Sequence, residues 1–463
     1  MATHKPHPIG NAATQSFDEA IAEYKARCRE FIGQERPEGV PPGNGTPFHR
    51  NGPPYESVVR FDAKLIKRYA GSIGDNNPLY NDPEYGKGTR FGAMVAPTQA
   101  LILARSPGGQ GPARPGGYPV GDFFSGLAWE FYNPLYLGTS NITTNKVTTE
   151  FIEKKGSQGD LLFLIEELNY WDGNKNLLGK CYGTLILVPI KSMGGGRAMA
   201  VDKVGEQLMY DRKTSQYTPQ DFERIDGNIS GFTHRGAEPR YWEDVEIGDK
   251  IGSDMLPPYR LDDQVTGRTF SSMFRGSADS SGDEIAFEHV YHYLHNTKAG
   301  YGTSFPNPVT RWPWGPNAEH EDALLAAYRG QSLPFDGGQH RAQIPHKLIA
   351  AWMGDNGWIR RYQVALRRPV YYSDACVYSG EVVKKFTEVQ EGDKKEGGHP
   401  GKATYHAVGL KIEGTNQVGQ TMLQGSVTVY LPSRKDGPVV LPVPHSGKPP
   451  YVPYEKFYRD WYQ

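Results

Sequence analysis

Apolar residues recur at helical spacing between residues 16 and 32 (Phe17, Ile21, Tyr24, Cys28, Phe31), and Ser16 stands where a cap is needed, so this stretch predicts an amphipathic helix. A Pro- and Gly-rich run from Pro37 to Pro54 then interrupts regular structure. From Trp129 the pattern changes to strand alternation, with segments at Asn141 to Glu150, Leu161 to Tyr170 and Lys180 to Pro189. Trp171-Asp-Gly-Asn separates the last two as a hairpin turn would.

The layout repeats from Val364 onward. In both copies a Pro-(Leu/Val)-Tyr step, at Pro134 and at Pro369, is followed 13 residues after the proline by a valine, Val147 and Val382. Val95-Ala-Pro97-Thr98 corresponds to Ile344-Pro345-His346, each leading an apolar run, and Gly74-Asp75 corresponds to Gly282-Asp283. An internal duplication accounts for these matches. Between the copies, residues 191–240 are polar, poorly periodic and rich in turn formers, as a linker is. The expected division is an N-terminal helix and loop over 1–54, a first domain over 55–190, a linker over 191–240, a second domain over 241–432 and an aromatic tail over 433–463.

A length of 463 residues fits two domains. With 51 basic and 52 acidic side chains and no Lys/Arg run, no nucleic-acid or membrane partner is expected. Three widely separated cysteines suggest neither a disulfide framework nor a thiolate metal site, and no long apolar run is present, so a soluble protein of the reduced cytoplasm is expected. With 55 glycines and 36 prolines, short elements joined by many turns are favoured over long helices.

The most specific stretch is Gly74-Asp75-Asn-Asn77-Pro-Leu-Tyr80-Asn-Asp82. It resembles the signature Gly-Asp-x-Asn-Pro-Leu-His-x-Asp of the MaoC-like (R)-specific enoyl-CoA hydratases and dehydratases, with Tyr80 in place of the histidine. Two-domain members resembling the mesaconyl-CoA hydratase type have a second half that opens much as Tyr241-Trp-Glu-Asp-Val-Glu-Ile-Gly-Asp249 does here. The resemblance covers roughly 55–190 and 240–432. It implies an α+β fold, a double hot-dog in which two bent antiparallel sheets each wrap a central helix. It also implies water addition to, or removal from, a 2-enoyl/3-hydroxyacyl-CoA thioester, with no cofactor beyond the CoA of the substrate and no metal. In the family the loop aspartate and histidine grip one water, the histidine acting as base, while backbone N–H groups at the central helix stabilise the enolate. Asp75 and Asn77 match by position, and they also serve as ordinary turn caps. A tyrosine, with a reference pKa near ~10, is a poor base at neutral pH, so Tyr80 suits an acyl-binding or structural role.

The base is then expected in the second half. Ser280 to Gly302 reads as a drifted copy of the loop and helix, with Asp283 or Glu288 as acid and His292 as base. His289, His292 and His295 lie three apart on that helix, but no carboxylate or cysteine converges on them to complete a metal site. Thr98 and His346, at corresponding helix starts, are expected to touch the thioester. From Asp283 to Pro345 is 62 residues against 22 from Asp75 to Pro97, so an insertion precedes His346. It is read as a lid or specificity loop, with Arg311, His340 and Arg341 as binders of CoA phosphates. A bulky aromatic, alicyclic or branched acyl group is expected from the 12% aromatic content. The aromatic segment from Tyr451 to Gln463 is expected to dock on a partner, giving a homo-oligomer such as a dimer. Thioester hydrolysis, retro-aldol cleavage, and a non-catalytic acyl-CoA-binding subunit of a hydratase complex stand as alternatives.

Overall fold

A computed structural model of the chain describes residues 15–34, 55–57, 59–107, 111–112, 118–156, 159–189, 211–263, 320, 322–328, 331–393, 399–446 and 451–456. Twelve strands are found among them: β1 (Tyr55–Glu56), β2 (Val95–Ala96), β3 (Val120–Phe131), β4 (Leu135–Tyr136), β5 (Thr143–Gly156), β6 (Gly159–Trp171), β7 (Leu177–Pro189), β8 (Lys250–Leu256), β9 (Trp358–Leu366), β10 (Cys376–Glu391), β11 (Lys402–Asn416) and β12 (Thr421–Leu431). Ten of these form one antiparallel sheet, ordered β1-β5-β6-β7-β3-β9-β12-β11-β10-β8. The order is mirrored about β3 and β9, whose pairing runs from Gly126 opposite Ala365 to Glu130 opposite Arg361. Each half also buries one short helix, the 3-10 helix Thr98–Leu103 in the first and the α-helix His346–Met353 in the second. Two sheet halves, each with its own central helix, make the α+β double hot-dog.

Local chemistry explains the elements that matter most. The N-terminal helix Phe17–Glu30 starts in a capping box, Ser16 with Glu19, and buries Ala20, Ile21, Tyr24 and Cys28. The turn after Trp171 is closed by Asp172, whose carboxylate accepts from the backbone of Asn174 and Asn176 at 2.8 Å each. Strand β7 is buried on both sides over most of its length, which is why its sequence, Leu-Leu-Gly-Lys-Cys-Tyr-Gly-Thr-Leu-Ile-Leu-Val-Pro, lacks clean alternation.

The second cover on that sheet is the chain's own tail. Tyr454 packs with Ala128, Phe163, Ile165 and Tyr182, while Val452 N donates to Tyr182 Oη at 2.7 Å and Tyr454 N to Glu150 Oε1 at 2.8 Å. Over Tyr451–Lys456 the aromatic segment therefore docks within the same chain, a correction to its expected place on a partner. The segment read as a linker is also structured in part. Thr218 and Asp221 form a capping box on the helix Pro219–Ser230, and Ile225 packs with Met255 and Ala375.

A buried ion pair crosses the seam. Arg360 on β9 reaches Glu130 on β3 at 3.4 Å and stacks over the Tyr132 ring at 4.2 Å. Removing one partner would leave an uncompensated charge inside the protein. Glu130→Gln is expected to lower unfolding stability by about 3–5 kcal/mol, read from denaturant midpoints at an unchanged m-value.

Candidate active site

The signature loop lies between the helices Ala63–Ser72 and Pro78–Asn81. Gly74 takes φ +71°, which allows the sharp exit from the first helix. Asp75 N then donates to Ala70 O, and Asp75 Oδ1 accepts from Asn77 N at 2.9 Å. Asn77 caps the next helix through Leu79 N at 3.0 Å, and Asn81 ties the turn by donating to Asn77 O at 2.9 Å. Both residues thus do the capping work that the sequence allowed. The turn uses one carboxylate oxygen of Asp75 and leaves the other, Oδ2, buried with no hydrogen-bond partner among the described residues.

Two imidazoles approach that carboxylate from the far side of the seam. His346, the first residue of the second central helix, places Nδ1 4.0 Å from Asp75 Oδ2, and this Nδ1 is likewise buried and unpartnered among the described residues. His234 places Nε2 3.6 Å from Asp75 Oδ1 and donates from the same nitrogen to Asn76 Oδ1 at 2.8 Å. Burial pushes the Asp75 carboxyl up to about 7 and the imidazoles down, His346 to about 3 and His234 to about 4. Near neutral pH both rings are therefore uncharged, beside a carboxyl poised to gain or lose its proton. Tyr80 lies against His346 with ring centroids 5.8 Å apart, and burial raises its phenol well above the usual value, so it keeps its proton.

A small cavity of about 30 Å³ opens beside this group. Asn77, Tyr80 and Thr98 from the first half share its wall with His346, Met353, Asp355 and Trp358 from the second. Thr98 Oγ1 is buried there without a partner among the described residues.

Residues 57–177 match a family model described as "FAS1-like, dehydratase domain region". A solved structure titled MaoC-like dehydratase aligns at 12% identity with a TM-score of 0.51, covering 87% of this chain and 99% of that one. The chain has the MaoC-like double hot-dog fold. A MaoC-like dehydratase from Phytophthora capsici is also similar, at 10% identity and TM-score 0.40 over 82% of this chain and 96% of that one. So is the peroxisomal multifunctional enzyme type 2 of Drosophila melanogaster, at 12% identity and TM-score 0.42 over 81% of this chain and 48% of that one. No curated protein matches in sequence.

Set on the MaoC-like fold, the other expected residues separate. Asp283, Glu288, His289, His292, His295 and Arg311 lie outside the described residues. His340 and Arg341 are not free to hold phosphates. His340 Nε2 donates to Ser72 O at 2.6 Å, and Arg341 is buried against Asp336 at 3.2 Å while also donating to Arg368 O. The described end of the insertion is accordingly a bridge between the halves instead of a lid: Gln339 accepts from Ser106 at 2.8 Å, and Gln343 from Tyr69. Lys347, beside His346, is held by Asp254 at 2.7 Å. The residue that sequence reasoning missed is His234. Its segment is fastened to the end of the second central helix by Arg235 N to Ala351 O at 3.1 Å and Arg240 Nε to Trp352 O at 2.7 Å. The capping pattern Thr218-Pro-Gln-Asp221 was the signal that this region is ordered. Among the described residues no helix is long and apolar enough to cross a membrane.

Proposed function

We propose that the chain is a hydro-lyase that adds water reversibly across the double bond of a 2-enoyl-CoA thioester. The observation that carries this reading is the pair Asp75 Oδ2 and His346 Nδ1, two buried unpartnered polar atoms 4.0 Å apart beside a cavity. That spacing lets one water sit within about 2.8 Å of both atoms. The histidine that the loop lacks at Tyr80 is thus replaced by one from the other half.

The proton affinities suggest a division of labour different from the family pattern. A carboxyl titrating at about 7 is a stronger base than an imidazole titrating at about 3. Asp75, ionised, takes a proton from the water as its oxygen bonds to the β-carbon and the double-bond pair moves into the enolate. The same carboxyl returns that proton to the α-carbon, so water is added and Asp75 is restored. His346 orients the water, and Thr98 Oγ1 supplies a donor for the thioester oxygen. Tyr80 remains a phenol that shapes the wall. Phe91, Val95, Ala350 and Trp358 favour a hydrocarbon acyl group. Many large aromatic side chains, Trp129, Tyr69 and Tyr170 among them, fill the core, so aromatic content does not argue for acyl bulk.

The test is loss of conjugated-enoyl absorbance when purified chain meets a series of 2-enoyl-CoA thioesters. Turnover is expected, with kcat/KM rising with pH and levelling above about 7 as Asp75 ionises. Release of free CoA thiol instead would establish a thioesterase, and turnover seen only with an added protein would make the chain a binding subunit.

A further inference from the structure

Asp355 is a second carboxyl in the cavity wall, and the hydration chemistry above leaves it unused. It follows Gly354, which ends the second central helix at φ +71° and brings the backbone within reach of the 235–240 segment, where Asp355 N donates to Gly236 O at 2.9 Å. Its Oδ2 accepts from Tyr85 Oη at 2.7 Å. Its Oδ1 is buried with no hydrogen-bond partner among the described residues, in a residue 4% exposed. Such an acceptor is costly to leave unmet, by about 1–3 kcal/mol or more. The backbone bond and Tyr85 hold the side chain in place.

Asp355 and the Asp75–His346 pair also share a neighbour. The Tyr80 phenol feels both carboxylates, and Tyr80, His346 and Asp355 line the same cavity. We propose that Asp355 is a specificity-determining residue that accepts a hydrogen bond from a hydroxyl group at C4 or beyond on the acyl chain, making acyl-CoA thioesters with such a second polar group the preferred ligands. Burial raises its carboxyl above the usual range. A site built to meet a substrate hydroxyl rejects the analogue lacking it, because the buried acceptor is then desolvated for nothing.

The inference rests on acyl-thioester binding at this site but not on turnover, so it is tested by binding. Dissociation constants are measured by calorimetry for a saturated straight-chain acyl-CoA and its counterparts hydroxylated at C4 or beyond, none of which can be hydrated or dehydrated at the 2,3-position. The parent is expected to bind one hydroxylated form about 10²-fold more tightly than the plain one. In Asp355→Leu the ratio should fall to near one, with the plain ligand binding more tightly than it does to the parent. Tyr85→Phe, which keeps the carboxylate and frees its orientation, should reduce the ratio partway and guards against misfolding of the leucine variant. Equal affinities in the parent, an unchanged ratio in Asp355→Leu, equal weakening of both ligands, or binding of neither would overturn the proposal. Failure to hydrate enoyl-CoA with the ratio intact would instead count against the hydratase reading alone.

Discussion

Asp75→Asn is expected to lower kcat/KM for enoyl-CoA hydration by about 10²–10⁴-fold, the range for loss of a proton-transferring group, with little change in KM. The amide keeps the Oδ1 acceptor for Asn77 N, so the turn persists while Oδ2 is replaced by a group that cannot take a proton. The same variant reports on stability. The folded carboxyl titrates at about 7 and the unfolded one near 3.8, so between those values the folded state holds a proton that the unfolded state has released. Parent stability from this group is complete below the lower value and is lost as pH rises through the upper one. Asp75→Asn should therefore gain stability relative to the parent from pH 4 to 7, by denaturant midpoints, and hold that gain above. Full activity in Asp75→Asn would sink the assignment.

His346→Ala is the second large effect. Losing one of the two atoms that hold the water should lower kcat by about 10²-fold, the cost of a misplaced reactant. Because the imidazole is neutral, the pH profile should keep its single rise near 7. Tyr80→Phe should leave kcat within a few-fold, since its phenol transfers no proton in this scheme. If His292→Ala abolished turnover and His346→Ala did not, the base would lie in the second-half loop and the shared site would be wrong.

Much of the frame is visible in the sequence because it depends on local rules. Period-two strands, the Asp172 turn and the Asp75–Asn77 capping turn follow from residues a few positions apart, and the repeat of Pro134 and Pro369 marks the two halves. What was hidden depends on folding at long range. His346 could be matched to Thr98 by its place before an apolar run, but its approach to Asp75 requires the β3·β9 seam. His340 and Arg341 read as surface cations, yet their partners Ser72, Asp336 and Arg368 come together only in the folded chain. The tail's aromatic character correctly implied docking. Composition cannot tell a chain's own surface from another's, and here Tyr182 and Glu150 supply it. His234 was obscured by polar, Gly-containing surroundings, although the Thr218 capping box marks a helix a few residues earlier.

The continuous hydrogen-bonded ladder from β3 to β9 has a bearing on how such a protein can change over evolutionary time. A duplicated gene ordinarily frees one copy to diverge, but here the two atoms proposed to hold the water, Asp75 Oδ2 and His346 Nδ1, belong to opposite copies whose sheets are joined by that ladder. If the proposed hydration scheme holds, neither repeat can be discarded, swapped or separately expressed without dismantling the other's chemistry, and inheritance then acts on the two as a single indivisible unit.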